Sequence, residues 1–311
     1  MINNDTGELQ TMNQDPTNII RINIPSETAP LKKVVMCWAN PVSLYSLRFI
    51  RIDAASLYQL WYNKFAFYDE KRVRQQQAAF IEVMRADGVE VLFADPVRYC
   101  GSQHYTRDIG FAIDDTYFCA NPRRPYRQRE MEGLQGLLPR FSKVVHLESG
   151  TIEGGDVLVD DQHVIIGLGE ETNKEGIACL RRKFKELGIE REIITIEFSH
   201  RGIIHLDTKF NIPAKGVGLI HPKSFKPESL KWLEGCFDLI EATDEETASM
   251  EINTFALSPQ KVVLSDRSYR LASLLESKGI QPMMVDYSEV TKLPGSFRCT
   301  TLPIVRMGSP G

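Results

Sequence analysis

Residues 156–168 read DVLVDDQHVIIGL. Two β-rich runs, DVLV and HVIIGL, flank the short polar turn Asp160-Asp161-Gln162, which is the pattern of a β-hairpin. Residues 173–187 follow with apolar positions at helical spacing and stop at Gly188, so a helix is predicted there. After it, EIITIEF at 192–198 predicts one further strand. The same order of hairpin, helix and strand then appears on both sides of this stretch. IGFAI-DD-TYFCA (109–120) leads to a helix over 125–139 and to KVVHL (143–147). KFNI-PAKG-VGLIH (209–221) leads to a helix over 227–235 and to DLIEAT (238–243). NTFAL-SPQK-VVLS (253–265) leads to a helix over 268–278 and to PMMVDY (282–287). The hairpins start about 45–50 residues apart, the period of a supersecondary repeat.

A fifth unit assembles from the two ends of the chain. The run Cys299–Arg306 would pair with KVVMCW at 33–38, followed by a long amphipathic helix over 66–86 and by VEVLFA at 89–94. No Gly/Ser-rich or Pro-rich linker interrupts residues 31–307, which predicts a single domain over 31–311. Residues 1–30 are polar, with Asn, Thr and Pro, and are expected as a loosely ordered tail.

Composition narrows the function. The 311 residues are 42% hydrophobic and 25% charged, ordinary globular values. With 37 Lys and Arg against 41 Asp and Glu, the net charge is −4, and no basic block suits nucleic acid. No apolar run is long enough to span a membrane, and the N-terminus lacks the basic and apolar regions of a signal peptide. The six cysteines, Cys37, Cys100, Cys119, Cys179, Cys236 and Cys299, are dispersed with no C-x-x-C pair. They read as free thiols in a reducing, cytoplasmic compartment, and they exclude a zinc finger.

The unusual polar residues sit just upstream of the hairpins. Tyr105-Thr106-Arg107-Asp108 precedes the first, Glu153-Gly154-Gly155-Asp156 opens the second, His205-Leu206-Asp207-Thr208 the third and Glu251-Ile252-Asn253 the fourth. Cys299 opens the last strand after Pro294-Gly295-Ser296-Phe297-Arg298. Taken singly, each is an ordinary structural residue. If the units surround a pseudo-symmetry axis, their equivalent positions converge, and Asp108, Glu153, His205, Asp207 and Cys299 share one pocket. A thiol nucleophile needs a nearby base or cation, and a histidine serves as acid and then base near neutral pH. Three carboxylates would raise the thiol pKa, and they make sense if the substrate carries a positive charge. A guanidinium, with five N–H donors in one plane, matches such carboxylates.

These motifs carry a resemblance. YTRD at 105–108, IEGGDVL at 152–158, TN-x-x-G-I at 172–177, HLDT at 205–208, Asn253 with F-A-L-x-P, and GSFRCTTLPIVR at 295–306 resemble the guanidino-group modifying, or pentein, superfamily over residues 31–307. That superfamily holds arginine deiminases, dimethylarginine dimethylaminohydrolases and amidinotransferases. The resemblance implies an α/β fold with five blades, a pseudo-fivefold α/β propeller. It implies Cys299 as nucleophile, His205 as general acid/base with Glu153 beside it, and Asp108 and Asp207 gripping the guanidinium. Arg107, Asn40 and Arg298 join them as expected substrate-binding residues, with Asn40 and the loop near 41–52 as pocket wall. No metal and no organic cofactor is expected; the partner is a small guanidino substrate, and the resemblance suggests a homodimer.

The implied reaction is hydrolysis of a guanidino C–N bond through a covalent thiouronium. Amidino transfer, arginine dihydrolysis and a non-catalytic guanidino sensor are the alternatives. Two positions depart from the pattern. Glu171 stands where many members carry an arginine for the substrate α-carboxylate, and Arg298 stands where a histidine often precedes the nucleophile. Arg298, Arg123, Arg124 and Arg306 are the expected substitutes for holding a carboxylate.

Overall fold

The structure, a computed structural model, describes residues 18–40 and 69–307. Its strands form five three-stranded sheets. The first is completed by the last strand of the chain and contains β1 (Leu31–Met36) and β2 (Glu90–Phe93). The next two are β3 (Gly110–Ile113), β4 (Thr116–Cys119) and β5 (Val144–His146), then β6 (Val157–Val159), β7 (His163–Leu168) and β8 (Glu192–Glu197). They are followed by β9 (Phe210–Ala214), β10 (Val217–Ile220) and β11 (Asp238–Glu241), then β12 (Phe255–Ser258), β13 (Lys261–Ser265) and β14 (Gln281–Val285). The closing strand is β15 (Leu302–Arg306).

Every sheet has the same construction, an antiparallel hairpin with a third strand added in parallel. In the second hairpin Val157 faces Ile166, and Ile165 of the shared strand faces Ile194 of β8. The fifth sheet obeys the rule although its strands come from both ends: β15 pairs antiparallel with β1, and β1 parallel with β2. The first strand of each unit is almost wholly buried, whereas the third is largely half-exposed. Each sheet therefore runs from an inner to an outer strand. Inner strands of successive units touch, β15 against β3 and β9 against β12. Continuous apolar runs such as Val157-Leu158-Val159 suit strands covered on both faces.

The core is divided accordingly into five clusters, each bridging two neighbouring units. One joins Phe111 and Phe118 to Val157, Ile166 and Leu180. Another joins Ala214, Leu219 and Ile240 to Val262, Leu264 and Leu271. No single unit could bury its apolar face alone, which is the physical reason for the ring. The pseudo-fivefold α/β propeller expected from the motifs is the observed fold.

The helices are α1 (Glu70–Ala86), α2 (Pro125–Glu130), α3 (Lys174–Leu187), α4 (Pro227–Cys236), α5 (Asp244–Ala248) and α6 (Tyr269–Ser277). Asp69 caps α1 by accepting from the N–H groups of Lys71 and Arg72; residues 66–68 of the predicted helix lie outside the described residues. Helix α3 is capped by Asn173 and ends at Gly188, whose φ of 68° is the left-handed conformation that glycine adopts freely. Among the described residues no helix is long and apolar enough to cross a membrane.

Three expectations change. The helix expected over 125–139 stops at Glu130 and continues as 3-10 turns. Gly133 fits tightly against the Asp95 carbonyl, where a Cβ would come within 2.4 Å, and Pro139 cannot extend a helix. Helix α5 was not expected; its signal is the capping box Thr243-x-x-Glu246. Residues 18–30, expected as part of a loose tail, are packed into the molecule. Ile20, Ile22 and Ile24 are buried beside Leu302 and Ile304, and the segment bridges to Phe141, Asp114 and Val305. Three alternating isoleucines are a strand-like pattern that the polar composition around them hid.

Candidate active site

Three inner strands are entered through one 3-10 turn each: Thr106–Ile109 before β3, Gly154–Asp156 before β6 and Leu206–Thr208 before β9. The first and second turns pack together, and so do the second and third. Equivalent positions of the repeat thus meet at one end of the axis. Asp108 and Asp207 lie inside their turns, while Glu153 and His205 stand immediately before theirs in extended backbone.

Asp108, Glu153, His205, Asp207 and Cys299 come together, each no more than 4% exposed. His205 Nε2 lies 3.0 Å from Glu153 Oε2, and Nδ1 lies 3.5 Å from Asp108 Oδ1. Gly155 makes that approach possible, because a Cβ there would stand 2.6 Å from the His205 ring and 2.7 Å from Asp108 Oδ1. Gly154 is equally confined, with the Arg107 carbonyl 2.0 Å from any added Cβ. The two glycines of EGGD are therefore space requirements of the cluster. Burial works against a charged His205, but Asp108, Glu153 and Asp156 around it hold its pKa well above the ordinary value.

Cys299 Sγ faces Asp207 at 3.7 and 3.9 Å from the two carboxylate oxygens. Burial, then Asp207 and Asp108, push the thiol well above its ordinary pKa, while Arg298 pulls it down. Asn253, from the fourth unit, ties the turn down. Its Oδ1 accepts from the N–H groups of Ser296 and Cys299, both at 3.1 Å, and its Nδ2 donates to the Asp207 carbonyl at 3.1 Å. All six cysteines are free and only Cys236 is exposed.

Among the described residues, the buried oxygens Asp108 Oδ1 and Glu153 Oε1 accept no hydrogen bond. Buried acceptors left unpaired are costly, and a donor-rich cation between them would remove the cost. Asp108, Glu153 and His205 offer ligand atoms within 4.8 Å of one another, a spacing suited to one compact cation.

The other expected site residues are placed differently. Asn40 donates to the carbonyls of Val97 and Cys100 and to Gln103 Oε1, not to the acid–histidine–thiol cluster. The pocket wall near 41–52 lies outside the described residues. Arg107 donates its Nε to the Arg298 carbonyl at 3.3 Å, and its backbone N–H to that of Cys299 at 3.0 Å, so it braces the nucleophile turn from behind. Arg298 and Arg306 are fully buried. Arg306 donates to the carbonyls of Ala29 and Ala256. Arg298 pairs with Asp207 and Glu27. These partners leave neither arginine directed at a substrate carboxylate. Glu171 is paired with Arg124, whose Nε and Nη2 donate to Oε1 at 3.0 and 2.6 Å. The acid at that position is thus neutralised by a neighbour rather than left as a bare negative charge.

Sequence reasoning missed four participants. Arg127 pairs with Asp108 and lies 3.3 Å from Glu130. Glu130, buried and accepting from Ser102, is pushed by burial to a pKa of about 7 despite Arg127. Asp156 accepts from the Leu206 N–H at 2.9 Å and is likewise raised by burial to about 7. Glu27 is the partner of Arg298 across most of the chain. Asp156 sat in a quoted motif, but nothing in the sequence marks Arg127 or Glu27.

A five-unit α/β propeller with an acid–histidine–thiol cluster at one end of its axis defines a protein of the pentein superfamily. The chain belongs to the arginine deiminase family: the family model described as "Arginine deiminase" matches residues 105–235 and 234–306, more than half of its length. It is 29% identical over 238 residues to the uncharacterised protein YkgA of Bacillus subtilis, covering 76% of this chain and 81% of that one. It is 25% identical over 230 residues to an N(G),N(G)-dimethylarginine dimethylaminohydrolase of Streptomyces coelicolor, covering 73% and 84%. Among solved structures it is similar in fold to SxtG, an amidinotransferase from Microseira wollei, with a TM-score of 0.75 at 17% identity over 93% of this chain and 98% of that one.

Proposed function

We propose that the protein is a cysteine-dependent hydrolase of a guanidino compound, arginine, a methylated arginine or a relative. The carrying observation is the buried set of Cys299 and His205 among Asp108, Glu153 and Asp207, with two carboxylate oxygens left without donors. The arginine deiminase family and the dimethylarginine dimethylaminohydrolase relative support this reading.

The chemistry follows from the charges. With no ligand, the acids keep the Cys299 thiol protonated and His205 charged. A guanidinium entering between Asp108 and Asp207 satisfies the acids and brings a positive charge beside the sulfur, which favours loss of the thiol proton to solvent, His205 being already protonated. The thiolate adds to the guanidinium carbon, forming a C–S bond. His205, held by Glu153, gives its proton to the departing nitrogen as the C–N bond breaks, leaving a thiouronium on Cys299. Neutral His205 then takes a proton from water, the hydroxide adds to the same carbon, and the C–S bond breaks. C–S cleavage releases a thiolate and a protonated ureido group, whose proton returns to the sulfur; the products are a ureido compound and ammonia or an amine, with the thiol restored.

Incubation with arginine, dimethylarginine and agmatine, with ureido product and released amine both quantified, tests the proposal. Absence of ureido product from all of them would overturn it. An amidino-transfer product that appears only when a second amine is supplied would replace hydrolysis by transfer. Activity lost to a chelator and restored by a divalent metal would assign the acid cluster to a metal instead.

A further inference from the structure

Arg298 adjoins the thiol in sequence, and its side chain is held between the site residue Asp207 and Glu27. Its guanidinium is 0% exposed. Nη1 donates to Asp207 Oδ2 at 2.8 Å. Nη2 donates to Glu27 Oε1 at 2.8 Å and to the Val157 carbonyl at 2.7 Å, and Nε donates to Glu27 Oε2 at 3.3 Å. Glu27 belongs to the segment ahead of the first sheet and is 7% exposed. Its hydrogen-bonded partner is Arg298, with Arg107 and Arg306 nearby, and none of the acid–histidine–thiol residues touches it. Charges therefore alternate in a buried line: Glu27, Arg298, Asp207, and at the end the Cys299 sulfur.

We propose that Arg298 and Glu27 are positioning residues for Asp207, through which the N-terminal segment sets the state of the Cys299 thiol. Arg298 binds Asp207 Oδ2, the carboxylate oxygen nearer the sulfur at 3.7 Å, and leaves Oδ1, 3.9 Å from the sulfur, for a cationic ligand. Glu27 absorbs the rest of the Arg298 charge. In a buried, low-dielectric setting each member changes what the next one feels. Removing Arg298 lets the full Asp207 charge act on the sulfur. Removing the Glu27 charge lets more of the Arg298 charge reach both Asp207 and the sulfur. The two changes therefore act on the thiol with opposite sign, which a merely structural role would not produce. The other charged or titratable groups facing the sulfur are Asp108 and Tyr287. His205 and Asp108 face Asp207, and Arg107 and Arg306 face Arg298. All of these stay unchanged in the comparison. Only the identity of the cationic ligand rests on the proposed guanidino chemistry.

The test is the pH dependence of Cys299 alkylation by iodoacetamide, followed by mass spectrometry of the Cys299 peptide. It uses the full chain with the exposed thiol removed (Cys236→Ser) and no ligand. Relative to that background, Glu27→Gln is expected to move the midpoint down and Arg298→Gln to move it up, each by about one pH unit, the usual scale for a close buried charge. Arg298→Lys is expected to return the midpoint towards the background value. Shifts of the same sign, or no shift in variants whose near-ultraviolet circular dichroism is native, would overturn the proposal. If Arg298→Gln does not fold, Glu27→Gln decides alone, and absence of a downward shift overturns it. The readout needs no turnover. Opposite shifts in a protein that hydrolyses no guanidino compound would therefore sustain the positioning role and overturn only the proposed reaction.

Discussion

Gly155 shows how narrow the tolerances are at the residue scale. A single methyl group there would overlap the His205 ring and Asp108, while the backbone around it need not unfold. Gly155→Ala is therefore expected to lower kcat on the order of 10²-fold, the cost of a displacement near 1 Å at a reacting group. A melting temperature within a few degrees of the parent would localise the effect. The thiols separate by the same reasoning. Cys236 is exposed, whereas burial raises Cys37 to a pKa of about 12 and Cys100 and Cys119 to about 11. A neutral alkylating reagent is expected to label Cys236 first, but an electrophilic amidine, drawn to the acids, should label Cys299 first. Mass spectrometry after each treatment checks both, and labelling of Cys37 or Cys119 before Cys299 by the amidine would refute the site. Cys299→Ser is expected to abolish turnover and Cys236→Ser to leave it unchanged.

At the element scale the site is built from chain entries into strands, not from the strands. Each inner strand is anchored by its sheet, so the turn before it is held although it has little regular hydrogen bonding of its own. Helix α3 illustrates how the surrounding elements are secured. Asn173 accepts from the Gly176 N–H at 2.8 Å and from the Thr151 N–H at 3.0 Å, tying the helix start to the stretch that leads into Glu153. Asn173→Ala is expected to cost about 1 kcal/mol of stability or somewhat more, since a cap and a tertiary contact go together. Urea denaturation measures it. Helix α2 makes the opposite point. Its periodicity ran on to residue 139, but close packing of Gly133 on the Asp95 carbonyl ended it early. The early stop leaves Arg127 on the short helical turn that reaches Asp108.

At the scale of the whole molecule, closing the ring with a strand from each end makes the N-terminal segment part of the structure. Glu27 carries a measurable sign of this. Burial opposes its charge, but Arg298, Arg107 and Arg306 together hold its pKa down to about 2, against an ordinary 4.5. A depressed carboxyl adds stability that is present above its unfolded value and disappears as pH falls through the folded one. The stability gap between the parent and Glu27→Gln is therefore expected to be full at pH 6, to narrow below about pH 4.5 and to close near pH 2. Denaturation series across that range check it. A gap independent of pH would mean that Glu27 is not ionised in the fold.

The sequence by itself determined the repeat. Hairpin, helix and strand are local patterns, set by alternation, turn residues and helical spacing, and these survive without tertiary knowledge. The positions of Asp108, Glu153, His205, Asp207 and Cys299 within each unit were legible for the same reason, since a repeat places equivalent residues at one end of an axis. Tertiary structure alone decided the charge partners. Arg298 was open to a role in binding substrate, and only the fold turned it inward to Glu27, a residue far away along the chain. Arg107 was read beside Asp108, yet it braces the Cys299 turn. Glu171 stands in sequence where an arginine was expected, and only the fold lays Arg124 against it. Periodicity is a property of neighbours in sequence, whereas the pairing of buried charges depends on which distant segments share a low-dielectric interior, and no local pattern records that.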